Sequence, residues 1–130
     1  MRITICGSMT FHSEMEKIGQ QLRKNGHDVK VPLLRIDVKE KADAIDDHFA
    51  KVAWSDAILV VNYPKHEIDG YVGGNTLMEI AVAYYLKKKI YLLLPVSYKL
   101  PYKEEILGMR PIIIQENLSL LDTVEEARWL

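Results

Sequence analysis

Two adjacent glycines, Gly73 and Gly74, separate a polar, turn-rich segment from residues 77–86, where every position is apolar or Tyr except Glu79. Such a junction reads as a sharp bend entering a buried helix, a place where a small molecule can approach the backbone closely. A carboxylate among apolar neighbours near the start of a buried helix requires a partner or a task. Two compatible readings follow. Thr76 and Glu79 form the pattern TxxE, in which Thr caps the helix and Glu reaches back to the cap; or Glu79 is a functional carboxylate lining a site.

The chain before this junction alternates strand and helix signals. Residues 2–6 form a short β-branched and apolar run that ends at Gly7 and Ser8, a buried strand entering a tight turn. Phe11, Met15, Ile18 and Leu22 then recur at helical spacing up to the stop signal Asn25–Gly26. The turn between them, Gly7, Ser8, Met9 and Thr10, offers two hydroxyls and free backbone amides, which suit a phosphate or a ribose; a generic hydroxyl-capped turn explains the same residues.

A second strand is expected at 29–34, with Pro32 placing this part at a strand end or sheet edge, followed by a charged, solvated loop at 35–43. Helical periodicity returns through Ala42, Ile45, Phe49, Val52 and Ala53, and 57–61 is a third, continuously apolar strand. A polar loop at 62–71, with Asp69 and Gly70, leads into the Gly73–Gly74 bend. A fourth strand at 90–94, a short helix at 103–108, a fifth strand at 111–114 and a final helix at 118–130 complete the pattern. It predicts one domain over residues 1–130, an α/β three-layer sandwich with a five-stranded parallel sheet in the order 2-1-3-4-5, Rossmann-like or flavodoxin-like. In that order strands 1 and 3 are neighbours, and the turns at their carboxyl ends flank the topological switch point where ligands bind. Gly7 and Ser8 would then face the same pocket as Gly73 to Glu79.

Composition narrows the function. A formal net charge of -1 over 130 residues argues against a nucleic-acid polymer as partner, since phosphate-backbone binding needs a basic face. Neither a signal segment nor a membrane-length apolar span is apparent, which points to a cytoplasmic protein. Cys6 is the only cysteine and reads as a small buried hydrophobe rather than a nucleophile. Asp46, Asp47 and His48 invite a metal reading, yet three consecutive helical residues point in different directions, and His12, His27 and His66 have no ligand-like spacing. No metal and no cofactor is expected.

The segments ICGSM at the first turn, SDAILVVN at the third strand and GGNTLMEIAVAYYLKKKIYLL at the third helix together resemble the nucleoside 2-deoxyribosyltransferase superfamily, which includes hydrolases that remove the base from nucleoside 5′-monophosphates. The resemblance runs from the first strand to the fourth. The family pattern GTxxEiGxA carries a glutamate nucleophile, and its TxxE part matches Thr76 and Glu79; Asn75 stands where Gly is usual, and Ala81 replaces the Gly that follows the nucleophile. His48 stands at the position of the family's aspartate. The resemblance implies that Glu79 attacks the anomeric carbon, that Gly7, Ser8 and Met9 bind sugar or 5′-phosphate, that Gly73, Gly74, Asn75 and Thr76 line the site, and that His48 or Asp69 contacts sugar or base. A second similarity, of the CGS turn plus GGNTxxE to the Lonely-guy type phosphoribohydrolases, implies the same bond.

The expected function is therefore cleavage or exchange of the N-glycosidic bond of a nucleoside or nucleotide. The alternative is a non-catalytic nucleotide or nucleotide-sugar sensor in the same pocket, favoured by His48 in place of the aspartate. Family members often complete their pockets with a neighbouring subunit, which implies a homo-oligomer. Tyr84, Tyr85 and Leu86 either supply that interface or pack in the core.

Overall fold

The computed structural model describes residues 1–34 and 39–122. Five strands, β1 (Arg2–Gly7), β2 (Asp28–Lys30), β3 (Ala57–Val61), β4 (Lys89–Leu92) and β5 (Ile112–Ile113), form one sheet in the order β2-β1-β3-β4-β5. Every pairing is parallel. The helices are α1 (His12–Lys24), α2 (Lys41–Trp54), α3 (Gly74–Tyr85) and α4 (Lys103–Gly108), with single 3-10 turns at Met9–Phe11 and Leu118–Asp122. This is the architecture that the alternation of apolar runs and glycine turns predicts.

Side-chain alternation along the strands divides the core in two. Ile3 and Ile5 of β1 with Ala57, Leu59 and Val61 of β3 pack against Met15 and Leu22 of α1 on one face. Cys6 with Ile58 and Val60 packs on the other face, against Val52 of α2, Ile80 and Ala83 of α3 and Ile106 of α4. All five residues of β3 are buried, as a central strand covered on both faces must be. Thr4, also buried, satisfies its hydroxyl by donating to the Lys51 carbonyl of α2 at 2.8 Å, which seats α2 against β1.

The ends of the elements depart from the sequence reading in informative places. β2 stops at Lys30 instead of continuing to residue 34, because Pro32 lacks an amide to donate to the ladder; Leu33 and Leu34 are exposed. β4 ends at Leu92, and beyond it the Asn62 side chain takes over the pairing, accepting from the Leu94 amide at 2.9 Å and donating to the Leu94 carbonyl at 2.7 Å. The expected final helix is represented by the 3-10 turn Leu118–Asp122, and its remainder lies outside the described residues. Part of the expected charged loop, residues 35–38, does so too.

Gly7 ends β1 beside Val61 of β3, and a Cβ there would stand 2.8 Å from the Val61 carbonyl oxygen. Glycine thus lets the carboxyl ends of the two central strands close up, and the turns leaving them open on one side of the sheet. Among the described residues no helix is long and apolar enough to cross a membrane.

Candidate active site

A cavity of about 440 Å³ opens above these strand ends. Its wall includes Gly7, Ser8 and Met9 from the turn after β1, His48 from α2, and Gly73, Gly74, Asn75, Thr76 and Glu79 from the start of α3. Nine of the ten residues expected at the site are therefore brought together. The tenth, Asp69, is not: it is exposed and outside the wall. Its carbonyl accepts from the Ser97 amide at 3.0 Å, and Gly70, with φ 65, turns the chain so that Tyr71 lines the cavity instead.

The capping reading of TxxE is corrected. α3 begins at Gly74 with Gly73 as its N-cap and no side-chain cap hydrogen bond, so Thr76 lies inside the first turn and is buried. The first intrahelical bond runs from the Leu77 amide to the Gly73 carbonyl at 2.9 Å. The amides of Gly74, Asn75 and Thr76 precede it, at the positive end of the helix and on the cavity wall. Gly73 has φ -82, which any residue adopts, and a Cβ on Gly74 would meet nothing within 4 Å. The two glycines leave room for a ligand rather than serving an unusual backbone.

Released from a cap, Glu79 faces β1 and α2. Its Oε1 lies 3.6 Å from Nε2 of His48, and the same His48 nitrogen lies 3.4 Å from Sγ of Cys6. His48 is 5% exposed, and the Glu79 side chain 13%. Burial pushes the Glu79 carboxyl up to about 8, against the opposing effects of a hydrogen bond from the Cys6 thiol and the charge of Lys41. Burial, and then the charge of Lys51, lower His48 to about 4; Asp47 and the Ile5 carbonyl act the other way. Burial and the neighbouring Glu79 hold the Cys6 thiol well above its ordinary value. Although His48 and Glu79 stand within ion-pair reach, both are neutral near pH 7, and their contact is one of uncharged groups. Nδ1 of His48 has no hydrogen bond of normal geometry among the described residues.

Three residues of the site escaped the sequence reading. Cys6 is a buried apolar-core residue as expected, but its thiol also meets His48 and Glu79. Lys65 donates from Nζ to Oγ of Ser8 at 2.8 Å, and Lys41 lines the same wall. The tip that carries Lys65 is a tight turn in which His66 and Glu67 both have positive φ, 54 and 60. It is closed by reciprocal bonds between Lys65 and Ile68 of 3.1 and 2.9 Å. Non-glycine residues in that conformation carry no sequence signature, whereas the two-residue periodicity that puts Thr4 and Cys6 on the α2 side of the sheet was available.

What the arrangement offers is a largely buried carboxyl in an open cavity, three lysines, Lys39, Lys41 and Lys65, on its wall and a helix amino end without a side-chain cap. No protein-family model matches the chain, and no curated protein matches it. Solved structures do. A 2-deoxyribosyltransferase from Leishmania mexicana is similar at 16% identity over 71% of this chain, with a TM-score of 0.59; this chain spans 63% of that protein's length. A CMP N-glycosidase, BcmB, from Clostridium botulinum is similar at 19% identity, covering 94% of this chain and 98% of that one, TM-score 0.57. A conserved protein from Enterococcus faecalis V583 is similar at 13% identity over 100% of this chain and 99% of its own, TM-score 0.67. The chain accordingly has the nucleoside 2-deoxyribosyltransferase-like fold.

Proposed function

We propose that this chain cleaves or exchanges the N-glycosidic bond of a nucleoside 5′-monophosphate, with Glu79 as the nucleophile. The observation that carries the reading is the position of Glu79: a largely buried carboxyl, paired with no lysine or arginine among the described residues, on the wall of a cavity beside the carboxyl ends of the two central strands. In the proposed reaction an Oε of ionised Glu79 bonds to the anomeric carbon as the carbon–nitrogen bond breaks. The base leaves with the bonding pair and takes up a proton. Water or another base then attacks the same carbon and releases Glu79.

The same cavity offers groups suited to the phosphate end of the substrate: Ser8 and Lys65 form a hydrogen-bonded pair on its wall, and Gly74, Asn75 and Thr76 line it at the amino end of α3. That set favours a nucleotide over a free nucleoside. Of the two similar enzymes, one is described as a CMP N-glycosidase and the other as a 2-deoxyribosyltransferase; both act at a bond of this kind.

A sensor that binds a nucleotide without cleaving it is the second reading. One observation favours it: the Glu79 side chain is only 13% exposed, and burial favours its protonated form, which is a poor nucleophile. Incubation with a panel of nucleosides and nucleoside 5′-monophosphates separates the two. Free base released by the wild type and not by Glu79→Gln supports the enzyme; protection against heat by a monophosphate, with no base released, supports the sensor.

A homo-oligomer is proposed on the resemblance together with the exposure of Tyr84, Tyr85 and Leu86 at the end of α3; Tyr85 is 84% exposed, so the core-packing alternative does not hold. Sedimentation showing only monomer would remove this part of the proposal.

A further inference from the structure

Cys6, His48 and Glu79 come from β1, α2 and α3, and their donor atoms, one thiol, one imidazole nitrogen and one carboxyl oxygen, lie within 4.8 Å of one another. We infer that these three side chains form a binding site for a single zinc ion and that zinc bound there blocks Glu79. The blocking part rests on the function proposed above; the binding part stands without it.

Geometry is the first argument. A tetrahedral zinc ion, bonded at about 2.3 Å to sulfur and about 2.0–2.1 Å to nitrogen or oxygen, holds neighbouring donors roughly 3.4–3.6 Å apart. Two of the three separations match, 3.4 Å for Cys6 Sγ to His48 Nε2 and 3.6 Å for His48 Nε2 to Glu79 Oε1, and the third, Cys6 to Glu79, is within 4.8 Å. Donor chemistry is the second: a mixed sulfur, nitrogen and oxygen set suits zinc and is unsuited to magnesium or calcium, which take oxygen. Access is the third. His48 and Glu79 belong to the cavity wall while Cys6 lies behind them, so an ion enters from the cavity and keeps its fourth position open to it, as in three-ligand zinc sites.

The sequence expectation of no metal weighs Asp46, Asp47 and His48 as helical neighbours, His12, His27 and His66 by their spacing, and Cys6 as a lone cysteine. Asp47 is indeed turned away, paired with Lys51 at 2.8 Å; the triad is assembled instead by the packing of two helices on one strand. Binding makes zinc–sulfur, zinc–nitrogen and zinc–oxygen bonds, with the Cys6 thiol proton and the Glu79 carboxyl proton both passing to solvent. The Glu79 oxygen that coordinates zinc is then unavailable to attack carbon.

The test uses the full chain, stripped with chelator and titrated with zinc alone and with cobalt(II) alone. One zinc per chain, together with a thiolate-to-cobalt charge-transfer band in the near ultraviolet, is expected. In Cys6→Ser the band disappears and zinc binds at least about tenfold more weakly, whereas His12→Gln, outside the cavity, binds as the wild type does. Circular dichroism in chelator identifies any variant that has failed to fold, in which case Glu79→Gln, with its binding loss, replaces Cys6→Ser. Sub-stoichiometric zinc, or an unchanged band in Cys6→Ser, overturns the site. If zinc binds as described and base release continues undiminished, the blocking role is overturned. If zinc binds and chelated protein releases base from no nucleoside or nucleotide, the site stands and the function proposed for Glu79 fails.

Discussion

Nε2 of His48 stands 3.6 Å from Oε1 of Glu79, and burial keeps both groups uncharged near neutral pH. A nucleophilic carboxylate must first be ionised, so this pair makes the proposed chemistry dependent on pH. Cys6, Lys41, Lys51 and Asp47 are the other groups acting on it.

In chelator-containing buffer, kcat/KM for base release is predicted to rise about tenfold per pH unit below pH 8 and to level off above it, following ionisation of Glu79 in the free enzyme. A profile flat through pH 8 would contradict Glu79 as the ionising group.

The same pair predicts how stability varies with pH. The folded-state value of Glu79, about 8, is above its ordinary 4.5, so its contribution is fully present below 4.5 and is lost as pH rises to 8. His48, lowered from 6.5 to about 4, acts in the other direction, losing its contribution as pH falls from 6.5 to 4. Above pH 6.5 most of the His48 contribution is already present and Glu79 gives the larger change. Between pH 6.5 and 8, wild type should lose on the order of 2 kcal/mol relative to Glu79→Gln. Denaturant midpoints at the two pH values measure this; parallel curves would show that the carboxyl is not held neutral by burial.

Lys65→Met should raise KM for nucleoside 5′-monophosphates by about 10–100-fold, the range for losing a hydrogen bond to a charged group. It should leave KM for the matching free nucleosides unchanged. An equal loss on both substrates would place Lys65 in support of the Ser8 turn and not in phosphate recognition.

Gly70 has φ 65, and a Cβ there would lie 2.0 Å from the Pro95 carbonyl oxygen. Gly70→Ala should therefore lower the thermal midpoint by about 5–10 °C. Gly74→Ala, on helical backbone with nothing near its Cβ position, should leave the midpoint unchanged or slightly raised while impairing ligand binding in the cavity. Equal midpoints for the two variants would contradict the packing described.

The sheet order and the meeting of the two turns were legible because they follow from coarse features: continuously apolar β3, helical periodicity between strands, and glycine at strand ends. Details governed by one local interaction were not. TxxE matches a capping box, yet backbone geometry starts α3 at Gly74, and this places Thr76 in the first turn and frees Glu79 to meet Cys6 and His48. Lys65, which reaches Ser8, opens a tight turn in which His66 and Glu67 adopt left-handed conformations. Asp69 stands next to a glycine turn in the sequence, a setting that suits a ligand contact, but it is exposed and outside the cavity wall.

A search for the covalent intermediate tests Glu79 as the nucleophile. Wild type and Glu79→Gln are incubated with each nucleoside 5′-monophosphate, quenched in acid and analysed by mass spectrometry for a sugar-phosphate adduct, with free base followed in parallel. The account predicts base release and an adduct on the peptide containing Glu79 in the wild type, and neither in Glu79→Gln. Base release of equal rate from both proteins, or an adduct on another residue, would contradict it.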